Sequence, residues 1–178
     1  MDYAPGVMLV LYGKSWAKTE TYVNPESGVS VHGLLICGKH EVVDRSLLRV
    51  FSSHEEPHFF PLDFPISFVH ARENSEFTTS RSGFLTSRFG VLASLNAKIN
   101  LGDASFEGLN VTAIGSSGVT GIGAARTSIL SANGTSCISG FCILEELVDG
   151  GDPTASIHVF GRPGVRKRSR YTVLTIQE

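Results

Sequence analysis

A chain of 178 residues, 42% hydrophobic and only 18% charged, has the size of one domain and enough apolar material for a core, which excludes wholesale disorder. No run reaches the roughly 18 apolar residues of a membrane helix, and three cysteines, an odd number, argue against a disulfide framework. The net charge of -2 hides an asymmetry: residues 1–160 carry ten Lys and Arg against sixteen Asp and Glu, whereas residues 161–178 carry five against one.

In chain order, residues 7–12 (Val-Met-Leu-Val-Leu-Tyr) read as a strand. No positive segment precedes them and no small-residue cleavage site follows, so they do not read as a signal peptide. The expected setting is cytosolic or nuclear, neither secreted nor transmembrane. Residues 16–23 alternate loosely and suit a partner for that strand. Asn24-Pro25-Glu26-Ser27-Gly28 is a turn by composition. Residues 29–37 are apolar and break at Gly38. Residues 42–51 place Val43, Leu47, Leu48, Val50 and Phe51 at a spacing that fits a short helix as well as a strand. Three prolines (Pro57, Pro61, Pro65) make residues 52–65 a loop or an edge segment, because proline offers a ladder no donor. Residues 66–71 and 76–80 suit short strands.

Residues 89–101 give the clearest strand: Val91, Ala93, Leu95, Ala97, Ile99 and Leu101 alternate with mostly polar neighbours, as when one face is buried. A strand over 109–114, a glycine-rich loop over 115–123 and a helix candidate over 124–130 follow. Residues 138–148 are strongly apolar, 149–153 form a turn, and 156–160 and 171–176 are the last strands. No internal repeat is evident. The expected fold is mainly β, with α+β open: a compact β-sandwich or partly open barrel with two or three short helices. It is expected to be a single domain over 1–178 with a basic C-terminal segment at 161–171.

Several groupings bear on chemistry. Residues 113–125 (Ala-Ile-Gly-Ser-Ser-Gly-Val-Thr-Gly-Ile-Gly-Ala-Ala) follow a strand, as a dinucleotide-binding turn does, but no acidic residue stands about 20 positions on to hold a ribose, so a surface loop is the better reading. Cys37, His40, His54 and His58 give C-x2-H-x13-H-x3-H, which approaches zinc-ligand spacing. The alternative is a buried cysteine with loop histidines. Pro57 disrupts the helix that a catalytic H-E-x-x-H needs. The serines lack the Gly-x-Ser-x-Gly elbow. The pairs Glu55-Glu56 and Glu145-Glu146 are adjacent, which in a strand sends their side chains to opposite faces. No catalytic set and no cofactor is expected. The remaining candidate is the run holding Arg162, Arg166, Lys167, Arg168 and Arg170, five cations within nine residues, suited to nucleic-acid phosphates, an anionic membrane surface or a nuclear-import receptor. A solvated charged turn is the bland alternative.

The order of features resembles the matrix proteins of rhabdoviruses, particularly the short ones of plant viruses. The likeness lies in the early apolar strand (residues 6–12), the polar stretch ending Thr19-Glu-Thr-Tyr22, the alternating strand opening Phe89-Gly-Val and closing near Asp103, the stretch Gly140-Phe-Cys-Ile-Leu-Glu-Glu146, a turn, and Ser156-Ile-His-Val159. These cover about a third of the chain. The resemblance implies a compact α+β domain, a non-enzymatic structural protein that self-associates as a homo-oligomer, and a bridge from nucleocapsid or RNA to a membrane, in the virion and the host cytoplasm or nucleus. The chain departs from that pattern: its basic run is C-terminal, it lacks Pro-Pro-x-Tyr, and Pro153-Thr-Ala-Ser156 only approaches a Pro-Thr-Ala-Pro budding signal. A jelly-roll-like coat or binding module is the second expectation, and a nucleotide-binding enzyme built on the glycine loop the third.

Overall fold

A computed structural model describes residues 7–23, 25–26, 28, 30–44, 58–62, 65–79, 85–168 and 173–177. Thirteen strands make one sheet: β1 (Val7–Val23), β2 (Ser30–Asp44), β3 (His58–Leu62), β4 (Ile66–Thr79), β5 (Leu85–Ser94), β6 (Lys98–Asn100), β7 (Phe106–Ile114), β8 (Gly118–Thr120), β9 (Ala124–Ala132), β10 (Cys137–Gly151), β11 (Ser156–Phe160), β12 (Val165–Arg168) and β13 (Val173–Gln177).

From β4 onward every pairing is parallel, and the partners recur at a nearly fixed interval. Phe68, Gly90, Asn110, Ile129, Val148 and Lys167 stand side by side in one row, although they lie 22, 20, 19, 19 and 19 residues apart. A second row is Phe77, Ile99, Val119, Ile138, Ile157 and Leu174. The chain thus winds as a β-solenoid, each coil crossing two ladders. The first ladder holds the start of β4, then β5, β7, β9, the end of β10, and β12. The second holds the end of β4, then β6, β8, the start of β10, β11 and β13.

Alternation fixes which side chains fill the interior. The first ladder sends Val69, Val91, Val111 and Leu130 inward, and the second sends Phe77, Ile99, Val119, Ile138 and Ile157; all are buried. Beside the first corner the inward residues shrink to Ala71, Ala93, Ala113 and Ala132, because the ladders converge there and leave no room for a larger side chain. After Leu130 the aliphatic row changes to Asp149, 4% exposed, which stands in register with Arg168.

The first corner is built the same way in successive coils. Glu73, Leu95, Gly115 and Gly134 occupy its left-handed position, with φ of 57°, 53°, 77° and 75°. Two residues on, a buried hydroxyl ties the turn in three of these four coils, Ala97 taking the place after Leu95. Ser117 Oγ accepts from the Ile114 N–H at 3.0 Å and lies 3.0 Å from the Ala93 carbonyl of the previous coil; Ser136 Oγ does the same with Asn133 and Ala113. Ser75 holds the corresponding place, accepting from the Gly38 N–H at 3.2 Å. These hydroxyls satisfy backbone groups that the turn takes out of the ladders.

The N-terminal layer differs. β2 stacks in parallel on β4 (Leu34 beside Val69, His40 beside Phe77), with a register shift at Gly38. β1 then pairs antiparallel with β2, and β3 antiparallel with β1.

Several expectations are corrected. The architecture is a solenoid, neither sandwich nor barrel, and no helix occurs among the described residues, so the α+β alternative does not hold there. A repeat exists, but its periodicity is in the fold. Residues 124–130 form strand β9 because Ala125, Ser128, Leu130 and Ala132 point inward. The stretches 7–12 and 16–23 do not pair with each other; they are one long strand with a register shift between Tyr12 and Trp16. Leu95 is 60% exposed, because the strand expected over 89–101 turns a corner there. Residues 42–44 close β2, and 45–51 lie outside the described residues. The proline segment does supply an edge strand, β3.

Candidate functional site

The basic run falls on the last coil. Arg162, Arg166 and Lys167 are exposed, Arg168 closes β12, and Arg170 lies outside the described residues. β12 pairs with the end of β10, and no other described strand pairs with it. Arg166 stands in the inward row of Leu147 yet is exposed, since no described coil covers that side. Lys167 Nζ lies 3.4 Å from Glu146 Oε1 in an exposed pair of the kind worth under about 1 kcal/mol. Cations along a sheet edge do two things: they discourage a further strand from adding, and they present a row of charge to an anion.

The other groupings are placed as follows. Cys37 pairs in register with Trp16 and Arg72, while His40 and His58 flank Leu11 from β2 and β3. His54 lies outside the described residues. Among the described residues no three His, Cys, Asp or Glu side chains converge as metal ligands do. The glycine run 113–125 builds two corners and strand β8, with no helix start to bind a pyrophosphate. Two of its glycines are required by close packing: a Cβ on Gly123 would sit 1.8 Å from the Ala104 carbonyl oxygen, and one on Gly121 would strike the Phe141 ring. Glu145 and Glu146 do not take opposite faces. The register shift between Ile143 and Glu146 leaves both outside the core, Glu145 paired with Arg126 at 2.7 Å and Glu146 with Lys167. Glu55 and Glu56 lie outside the described residues.

A groove missed from sequence crosses the outer face of the first ladder. Its larger end, about 780 Å³, lies under the tip of the β1–β2 hairpin. Glu20, Val23, Pro25 and Glu26 of the hairpin overhang Phe68, His70 and Leu92, with Asn110 and Thr112 beyond. Gly90 lines both this end and a smaller continuation of about 530 Å³ over Arg88, Thr127 and Glu146. Two glycines shape it: Gly90 leaves the floor open, and Gly33 makes room for the Phe68 ring, which a Cβ there would overlap. Burial holds the pKa of His70 below its ordinary value; the Arg72 guanidinium lowers it further and Glu20 partly opposes this. Arg72 Nε donates to His70 Nε2 at 3.4 Å. No short motif marks this groove, since its residues come from six segments, the hairpin, β4, β5, β7, β9 and β10, that only the fold aligns.

Compared with protein-family models, with curated proteins and with solved structures, the chain matches none.

Proposed function

We propose that this protein is a non-enzymatic assembly protein whose basic last coil makes the contact with an anionic partner. The observation that carries the reading is the placement of Arg162, Arg166 and Lys167, all exposed, on a coil whose strand β12 pairs on one side among the described residues. Each coil of a solenoid packs on its neighbours, and β12 has a neighbour on one side only among the described strands, so its other side is open to a partner. The resemblance to rhabdovirus matrix proteins suggests the partner: ribonucleoprotein on one side and an anionic membrane on the other, with self-association of the protein between them.

The test is binding of single-stranded RNA, and of vesicles containing phosphatidylserine, at 50 and 300 mM salt. Wild-type protein is expected to bind both at low salt and weaken steeply at high salt. The quadruple variant Arg166→Gln, Lys167→Gln, Arg168→Gln, Arg170→Gln is expected to bind neither. Equal binding by variant and wild type would sink the proposal.

A further inference from the structure

Where a sheet ends, its last strand presents unpaired backbone groups, and proteins blunt such edges with charge, proline or a bulge. β3, at one end of the sheet, holds Pro61. Beyond Leu11 no described strand pairs with the outer side of β1, and there β1 carries the exposed Lys18 and a register shift between Tyr12 and Trp16. β12 holds Arg166, Lys167 and Arg168. β13 carries none of these devices. Its residues Val-Leu-Thr-Ile-Gln include no charge and no proline, it pairs with β11 in unbroken register, and it is the last strand at its end of the sheet.

The inward row is unfinished there as well. Leu174 stands beside Ile157, and Ile176 beside Val159. Ile157 and Val159 are buried, whereas Leu174 and Ile176 pack on the core and stay partly exposed. The strand thus ends the second ladder with open backbone groups and an apolar row that one more strand would cover.

We infer that this strand is β13 of a second copy of the chain, paired antiparallel about a two-fold axis at Thr175. The inference rests on the self-association in the assembly reading above and assigns it a place. A two-fold contact must be complementary to itself. Centred on Thr175, β13 meets that demand: Leu174 comes opposite Ile176 of the second copy, Ile176 opposite Leu174, and the exposed Thr175 opposite its own counterpart. An axis perpendicular to the sheet keeps inward residues inward, so the two apolar rows continue into each other. Pro61 blunts the opposite end, so growth stops at two copies. The joint also brings the two last coils together. Their exposed Arg166 and Lys167 repel across it, which salt screens, and both coils then face the same anionic partner. A joint of one short strand falls below the roughly 1,200 Å² of a standard interface, so the dimer is weak.

The experiment is sedimentation equilibrium of nucleic-acid-free protein over about 10–200 μM, a range suited to a weak interface. Wild type, Thr175→Lys and Thr175→Glu are compared at 50 and 500 mM salt. Wild type is expected to show monomer and dimer, nothing larger, and a dimer several-fold tighter at 500 mM. Each variant alone sets like charges directly opposite each other and is expected to weaken the dimer about fivefold at 50 mM, with an unchanged melting temperature. An equal mixture of the two is expected to dimerise at least as tightly as wild type, a rescue that also excludes misfolding. A wild type that stays monomeric overturns the inference. So does mass beyond the dimer, association that tightens at low salt, an undiminished dimer in either variant, or a mixture that does not recover. RNA binding by the quadruple variant separates the two claims. If wild type is monomeric while that variant loses RNA, the joint is refuted and the basic-coil reading stands. If the dimer responds at Thr175 as expected while that variant still binds RNA, the joint stands and the basic-coil reading falls.

Discussion

The middle coils and the two ends of this solenoid are made of the same strands and differ in what they do with their corners. Between β5 and β11 the same inward positions and the same first corner return every 19 or 20 residues, while the outward side chains vary, polar ones such as Asn110 and Thr112 alongside exposed apolar ones such as Ile114 and Ile129. At the N-terminal end that order gives way to an antiparallel hairpin whose tip overhangs the ladder. At the other end the inward aliphatic row gives way to Asp149 and a strand of cations. Repetition secures the stack, since each coil buries the face of the next. The exposed cations of the last coil lie outside that packing, so stability and recognition should respond to different mutations.

The sharpest break in the comparison is predicted at a middle corner. Gly123→Ala forces a methyl against the Ala104 carbonyl, and nothing but backbone can yield. A loss of about 3 kcal/mol or more is expected in chemical denaturation. Gly118→Ala, whose Cβ meets nothing within 4 Å, is expected to stay within about 0.5 kcal/mol of wild type. Similar effects at both glycines would contradict the corner geometry.

A smaller effect is expected from Ser136→Ala. It removes the acceptor for the Asn133 N–H and the bond to Ala113, a cost of about 1 kcal/mol. The loss stays modest because Ala97 and Ala155 already fill this place in two other coils, both buried. Denaturation midpoints decide it; a loss as large as that at Gly123 would mean the hydroxyls do far more than tie turns.

The smallest effect concerns acid. The Asp152 carboxylate accepts from the Gly134 N–H at 2.7 Å and from the Thr154 hydroxyl at 2.6 Å, and the Gly134 bond chiefly, then Thr154, holds its pKa below the ordinary value. A lowered carboxylate stabilises the folded form above its ordinary range and loses that contribution as pH falls through the folded value. The protection factor of the Gly134 amide, its exchange rate relative to the unstructured amide at the same pH, is expected to fall only below about pH 4, and in Asp152→Asn to be lower already at neutral pH with little further change on acidification. A wild-type protection factor that falls already near pH 6 would point to another group.

The sequence made parts of this legible and hid others for physical reasons. Alternation over 89–101 identified Val91, Ala93, Ala97 and Ile99 as inward, all of them buried. It failed at Leu95 because a strand pattern carries no mark of a corner when the left-handed position is filled by leucine instead of glycine. Residues 124–130 looked helical because alanines and a serine satisfy the inward positions of a narrow solenoid, where small size matters more than hydrophobicity. The repeat escaped notice since one coil position accepts Ser, Ala or Gly according to space, so coils share shape without sharing letters. The basic run was visible because charge clustering is local in sequence. The groove was not, since Glu20, Phe68, Gly90 and Asn110 become neighbours only through the coil register.

The most direct measurement of the separation between stack and ends takes one protein, Arg166→Gln/Lys167→Gln, and two readings on the same sample. The melting temperature should match wild type within about a degree or two, as both side chains are exposed. The slope of log affinity for single-stranded RNA against log salt should fall by about 1.4, about 0.7 for each lost phosphate contact. A variant that keeps the wild-type slope, or whose affinity falls only in step with its melting temperature, would contradict the assignment of recognition to the last coil.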